Sequence, residues 1–159
     1  MTRAAELLDR ARAAGVTIAT AESCTGGMIA AAITAPAGAS SVFDRGFVTY
    51  SNAAKGDLLG VSAETLDIHG AVSEPVAREM ADGARARSAA TLAVAVTGIA
   101  GPGGSDAKPE GRVCFGLAGT GPTRAETVEF GALGRQGVRE ATVDHAIALL
   151  LGAVREVGR

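Results

Sequence analysis

Residues 91–104 read TLAVAVTGIAGPGG. Five of the first six are apolar and three are β-branched, the make-up of a buried strand, and the glycines and proline that follow end any helix. This is the most strand-like run in the chain. It delivers a glycine-rich loop at a strand's carboxyl end, where open α/β sheets hold ligands. Two further strand-like runs stand upstream, VTIATA at 16–21 and the segment 42–51 around FVTY. Helical patterns separate them. Residues 2–14 set Leu7, Leu8 and Ala11 on one face and stop at Gly15. GGMIAAAITA (26–35) reads as a small-residue helix with Ser23 or Thr25 as its cap, ending before Pro36. Short helices over 52–59 and 63–68 are broken by Gly60 and Gly70. Ser73-Glu74-Pro75, a capping serine with proline in the first turn, opens a helix to about Ser88. Downstream, Arg112–Ala118 and Ala125–Phe130 read as a hairpin, and 136–157 as a long closing helix. Alternating helices and apolar strands, then two adjoining strands, predict an α/β fold: a three-layer α/β/α sandwich with a mixed β-sheet. No repeat or linker divides the chain, so residues 1–159 are expected to form one domain.

Charge and composition narrow the function. The 15 Lys+Arg and 17 Asp+Glu give a net charge of −2, and no basic block is present to meet nucleic acid or anionic lipid. The longest apolar runs, 28–33 and 146–151, fall far short of the roughly 20 residues of a membrane span. The N-terminal stretch is broken by Glu6 and Asp9 and has no apolar signal core, so the expected location is cytoplasmic. Cys24 and Cys114 fit no metal or redox spacing and are expected as reduced thiols. His69 and His145 lie far apart without HxH or HExxH, so no metal site is expected. His145 reads as a helix-surface or interface residue and His69 as a helix end.

Three segments carry candidate chemistry. In AESCTGG (21–27), Ser23 sits at a strand end, and the N–H groups near Thr25, Gly26 and Gly27 can hold an oxyanion. Plain capping by Ser23 or Thr25 explains the same residues. The loop 97–104, with Thr97, Gly98, Gly101 and Gly104, can curl N–H groups around an anion, though it is neither GxGxxG nor a P-loop. A surface loop is the alternative. Third is YSNAAK (50–55). Thirteen of the 15 basic residues are Arg, the only lysines are Lys55 and Lys108, and Tyr50 is the only tyrosine. Lysine, unlike arginine, becomes a base when burial lowers its pKa. Lys55 is therefore a candidate base for Ser23, with Tyr50 beside it to relay a proton or hold the amine. Compositional drift alone would also leave two lysines.

TAESCTGG (20–27), FDRGFVTYSNAAKGDLLGV (43–61), HGAVSEPVAREMADGAR (69–85) and AVTGIAGPGGSDAKPEGRV (95–113) resemble the CinA C-terminal domain family. The resemblance runs from about residue 5 to 155 and is greatest to stand-alone members. It implies hydrolysis of the carboxamide of nicotinamide mononucleotide to nicotinate mononucleotide and ammonia, with no metal or cofactor, in a homodimer. The family's catalytic Ser, Tyr and Lys fall on Ser23, Tyr50 and Lys55. The glycine-rich loop and Arg135 are expected to contact ribose or phosphate. Glu110 and Arg112 stand where Val and Thr are common, and the F-x-G-x-R segment is stretched to FGALGR (130–135). The competing class is a non-catalytic nucleotide- or protein-binding module of a competence or DNA-damage response.

Overall fold

Alternation along TLAVAV decides how the sheet is covered. Leu92, Val94 and Val96 join one apolar core, while Ala93 and Ala95 join another on the opposite face. The computed structural model describes residues 1–157, and these form one five-stranded sheet of order β2-β1-β3-β4-β5. The strands are β1 (Ile18–Glu22), β2 (Phe43–Val48), β3 (Leu92–Gly98), β4 (Arg112–Ala118) and β5 (Arg124–Glu129). β1 pairs in parallel with β2 and β3, and β4 runs antiparallel to both β3 and β5. The sheet is mixed, as the sequence predicts.

Large side chains occupy the face covered by α1 (Arg3–Ala14), α2 (Met28–Thr34) and α6 (Gly134–Val157). Ile18, Phe115 and Leu150 are fully or almost fully buried there, each contributing roughly 1.5–3 kcal/mol. The other face is built from Ala19, Ala21, Ala93, Ala95 and Ala118, with α3 (Asn52–Leu59), α4 (Ala63–His69) and α5 (Glu74–Ala86) above it. Small side chains let α5 settle directly on the sheet. A Cβ at Gly116 would lie 2.2 Å from the Ala77 carbonyl oxygen, and one at Gly83 would lie 2.0 Å from that of Leu59. Glycine is thus required where β4 meets α5 and where α5 meets α3. No helix among the described residues is long and apolar enough to cross a membrane.

Local signals place most element ends. Thr2 caps α1 by accepting the Ala5 N–H, and Gly15 ends it with φ +68°. Ser73 caps α5 as expected, and that helix stops at Ala86, two residues before Ser88. α2 departs from expectation. It starts at Met28, with Gly27 at the cap position and no side-chain bond from Ser23 or Thr25. The cap is the Glu22 carboxylate, which accepts the Ile29 N–H (2.8 Å), the Ala30 N–H (3.1 Å) and the Thr25 hydroxyl. α6 begins at Gly134, earlier than 136, where the Glu110 carboxylate accepts the Gly134 N–H (3.1 Å). β2 ends at Val48 because the chain turns into the Ser51 cap of α3.

Candidate active site

The carboxyl ends of β1 and β3 meet the start of α3 at a cleft of about 310 Å³. Ser23 is the first residue beyond β1, and its N–H donates to the Val96 carbonyl (3.1 Å), extending the strand pairing by one position. Lys55 lies in α3, whose cap Ser51 accepts the Ala54 N–H. Lys55 is only 1 % exposed, an extreme value for a residue type that is almost never fully buried unless paired. Its Nζ lies 3.0 Å from Ser23 Oγ, 3.1 Å from the Thr49 carbonyl oxygen and 3.3 Å from that of Tyr50. Protonated, the amine donates to all three. Neutral, it donates to the two carbonyls and turns its lone pair to the Ser23 hydroxyl. Burial pulls the Lys55 pKa below the ordinary lysine range.

Tyr50 reaches Lys55 through its main-chain carbonyl. Its phenol is 59 % exposed and accepts a hydrogen bond from Arg135 Nη2 (2.9 Å), so the expected hydroxyl contact with the amine is not formed. The turn after β2 aims two successive carbonyls at Lys55 and leaves the ring at the cleft mouth. Arg135 also donates to the Gly101 carbonyl (2.8 Å) and meets no carboxylate among the described residues. Its charge remains available to an anionic ligand.

The glycine-rich loop lines the cleft through Gly98, Gly101 and Gly104, beside Thr97, but it is not an open nest. Gly103 N–H donates to Glu110 (2.7 Å), Ser105 N–H to the Lys108 carbonyl (2.9 Å) and Ile99 N–H to the Arg112 carbonyl (2.9 Å). Gly101 has φ +91°, and a Cβ there would lie 2.5 Å from Glu110. Of the AESCTGG turn, Ser23 and Cys24 line the cleft, and Thr25, Gly26 and Gly27 lie just behind them. The Thr25 hydroxyl is bound by Glu22, and the Gly26 N–H donates to the Ser23 carbonyl (3.1 Å).

Sequence reasoning missed four supports. Besides Glu22 and Glu110, Arg139 donates to the carbonyls of Cys24 (3.1 Å) and Thr25 (3.3 Å), clamping the turn after Ser23. Lys108 donates to the carbonyls of His69 (3.0 Å) and Val72 (2.6 Å). The scarcity of lysine is the one signal that points at Lys108. Cys24, next to the serine, is buried, and its thiol is pushed up to about 11 by burial, so it is no thiolate at neutral pH. His69 is exposed at the end of α4, and His145 pairs with Glu126 (2.6 Å) between α6 and β5. Neither serves Ser23. No group of metal-ligating residues occurs among the described residues.

Fold and cleft together define an α/β protein with a buried serine–lysine pair at its strand ends. The chain belongs to the CinA C-terminal domain family, which matches residues 1–154. The nicotinamide-nucleotide amidohydrolase PncC of Escherichia coli is 51 % identical over 143 residues, covering 87 % of this chain and 85 % of that one. A putative competence-damage inducible protein of Symbiobacterium thermophilum is 55 % identical over 146 residues, 86 % of this chain and 34 % of that one. The chain thus spans about a third of the length of this longer relative. The crystal structure of the competence/damage inducible protein CihA from Agrobacterium tumefaciens superposes with a TM-score of 0.88 at 48 % identity, covering 98 % of this chain and 97 % of that one.

Proposed function

We propose that this chain hydrolyses the carboxamide of nicotinamide mononucleotide to nicotinate mononucleotide and ammonia, using Ser23 as nucleophile and Lys55 as base. The observation that carries it is the 3.0 Å contact between Lys55 Nζ and Ser23 Oγ, with two carbonyls fixing the other positions around the amine. Likeness to PncC over most of both chains supplies the substrate.

Neutral Lys55 takes the Ser23 proton as Oγ bonds to the amide carbon. The pyridinium ring withdraws electrons from that carbon and assists the attack. The Cys24 N–H, the amide following the nucleophile, serves the oxyanion, a donor typically worth about 3 kcal/mol of barrier. Collapse breaks the C–N bond, and the Lys55 ammonium returns its proton to the departing ammonia. Water, deprotonated by Lys55, then cleaves the nicotinoyl ester and regenerates Ser23. Arg135 binds the phosphate, with the Tyr50 hydroxyl and the loop at Gly98, Gly101 and Gly104 around the ribose. The reaction draws on no metal or cofactor. We take the active unit to be a single-domain homodimer in the cytoplasm, acting in pyridine nucleotide recycling.

Ammonia release from a panel of nicotinamide compounds tests this reading. Ser23→Ala should abolish release and still bind the mononucleotide, because the Ser23 hydroxyl caps no helix and bonds only Lys55. Binding without ammonia release by the unaltered chain would instead support the non-catalytic module.

A further inference from the structure

Thr97 stands beside the proposed nucleophile. Glu22 pairs with Val96 in parallel register, so the next position along places Ser23 next to Thr97. Side chains alternate along a strand, and both residues point to the face carrying α3 and α5, as Ala21 and Ala95 do. Neighbouring strands lie about 4.8 Å apart, so the two hydroxyls flank the same small volume.

The Thr97 hydroxyl donates to the Ala71 carbonyl (2.9 Å). A carbonyl has no proton to give, so the direction of that bond is forced. The other carbonyls of this turn are themselves held, because Lys108 grips those of His69 and Val72 and the Ser73 hydroxyl donates to that of Gly70. Thr97 lines the cleft and is locked in one sense: toward the substrate it offers lone pairs and no proton. Such a group is useless to an oxyanion and well matched to an N–H donor.

We infer that Thr97 is the specificity-determining residue for the carboxamide, its Oγ1 accepting an N–H from the –NH₂ group of the substrate and turning away the carboxylate of the product. The inference rests on the hydrolase reading above and adds the atom that tells amide from acid. A carboxylate brings only acceptors to that position, so lone pair meets lone pair, and the product is expelled from the place the substrate held. Lys108 is the positioning residue that keeps the Ala71 turn, and hence the hydroxyl, in register.

The test compares unaltered protein, Thr97→Val and Thr97→Ser on two probes, nicotinamide mononucleotide and the methyl ester of nicotinate mononucleotide. The ester has the reacting carbonyl but no N–H. Thr97→Val should lower kcat/KM for the amide by roughly 3- to 10-fold, as for one lost hydrogen bond, and should hold or raise it for the ester, whose methoxy oxygen is an acceptor only. Thr97→Ser should restore the amide rate, and inhibition by nicotinate mononucleotide should strengthen in Thr97→Val alone. A merely structural role would lower amide and ester together, and that result overturns the inference, as does an unaffected amide rate. If the unaltered protein cleaves neither probe, the hydrolase reading fails and takes this inference with it. If it cleaves both and Thr97→Val treats them alike, this inference alone fails.

Discussion

Replacing Lys55 by methionine removes Nζ from a site that is 1 % exposed and deletes all three of its hydrogen bonds at once. The carbonyls of Thr49 and Tyr50 lose a partner, at about 1–3 kcal/mol for each that stays dry. Against this, the variant no longer buries an amine. The sign of the pH dependence follows from burial, which lowers the folded-state pKa of Lys55. Between that lowered value and the ordinary lysine value, the unfolded chain binds the extra proton, so stability rises with pH across this window. Below the folded pKa the wild-type chain bears the full cost, and Lys55→Met abolishes the slope. Catalysis requires the neutral amine, so kcat/KM should climb with pH and level off above the folded pKa. Lys55→Met should lose roughly 10²- to 10⁴-fold in kcat. Lys55→Arg should lose as much, because its guanidinium stays protonated, and forcing it into the site costs a further 1–3 kcal/mol or about that in stability. Ammonia release followed across about pH 6–10, beside chemical denaturation at each pH, reads both effects. An active Lys55→Arg enzyme with an unchanged pH profile would remove Lys55 from the role of base.

Two other perturbations separate the cleft's parts. Arg135→Ala should raise KM for nicotinamide mononucleotide by roughly 10- to 150-fold, the equivalent of about 1.5–3 kcal/mol for a charged hydrogen bond, with kcat spared. The same variant should treat the phosphate-free nucleoside like wild type, and equal loss on both substrates would reassign the arginine to structure. Glu22→Ala leaves α2 uncapped and should destabilise the fold by about 0.5–2 kcal/mol, more if the Thr25 hydroxyl stays unpaired. Denaturant titration measures it, and an unchanged midpoint would mean Gly27 suffices as cap.

What the sequence discloses here follows the range of the interactions. TLAVAV and Ser73-Glu74-Pro75 fix their elements through strand composition and a cap three residues from its target, both local effects. Scarcity singles out Lys55, and burial of its amine beside Ser23 gives that scarcity a physical use. Tyr50 borders the cleft, but the direction of its ring was not legible, since the turn that exposes it is set by where its carbonyl goes. The glycines of 98–104 announce close backbone approach. They do not announce that Glu110, rather than a ligand, comes close to Gly101 and Gly103. Arg139 meets the Ser23 turn across more than a hundred residues of chain, a pairing no local pattern encodes.

Gly116 and Gly83 lie away from the chemistry, yet they set its scale. Ser23 extends a strand of the sheet, and Lys55 rides on α3, a layer above it. The height of that layer is fixed by a stack in which β4 touches α5 at Gly116 and α5 touches α3 at Gly83. Each glycine acts as a spacer of zero thickness. A single methyl group at either would have to lift a helix, because carbonyl oxygens stand 2.2 Å and 2.0 Å from where that methyl would go. The lift would pass to the gap between nucleophile and base, where a misplacement of about 1 Å is enough to cost a hundredfold in rate. The reach of the amine toward the serine is therefore gauged by two residues that touch neither.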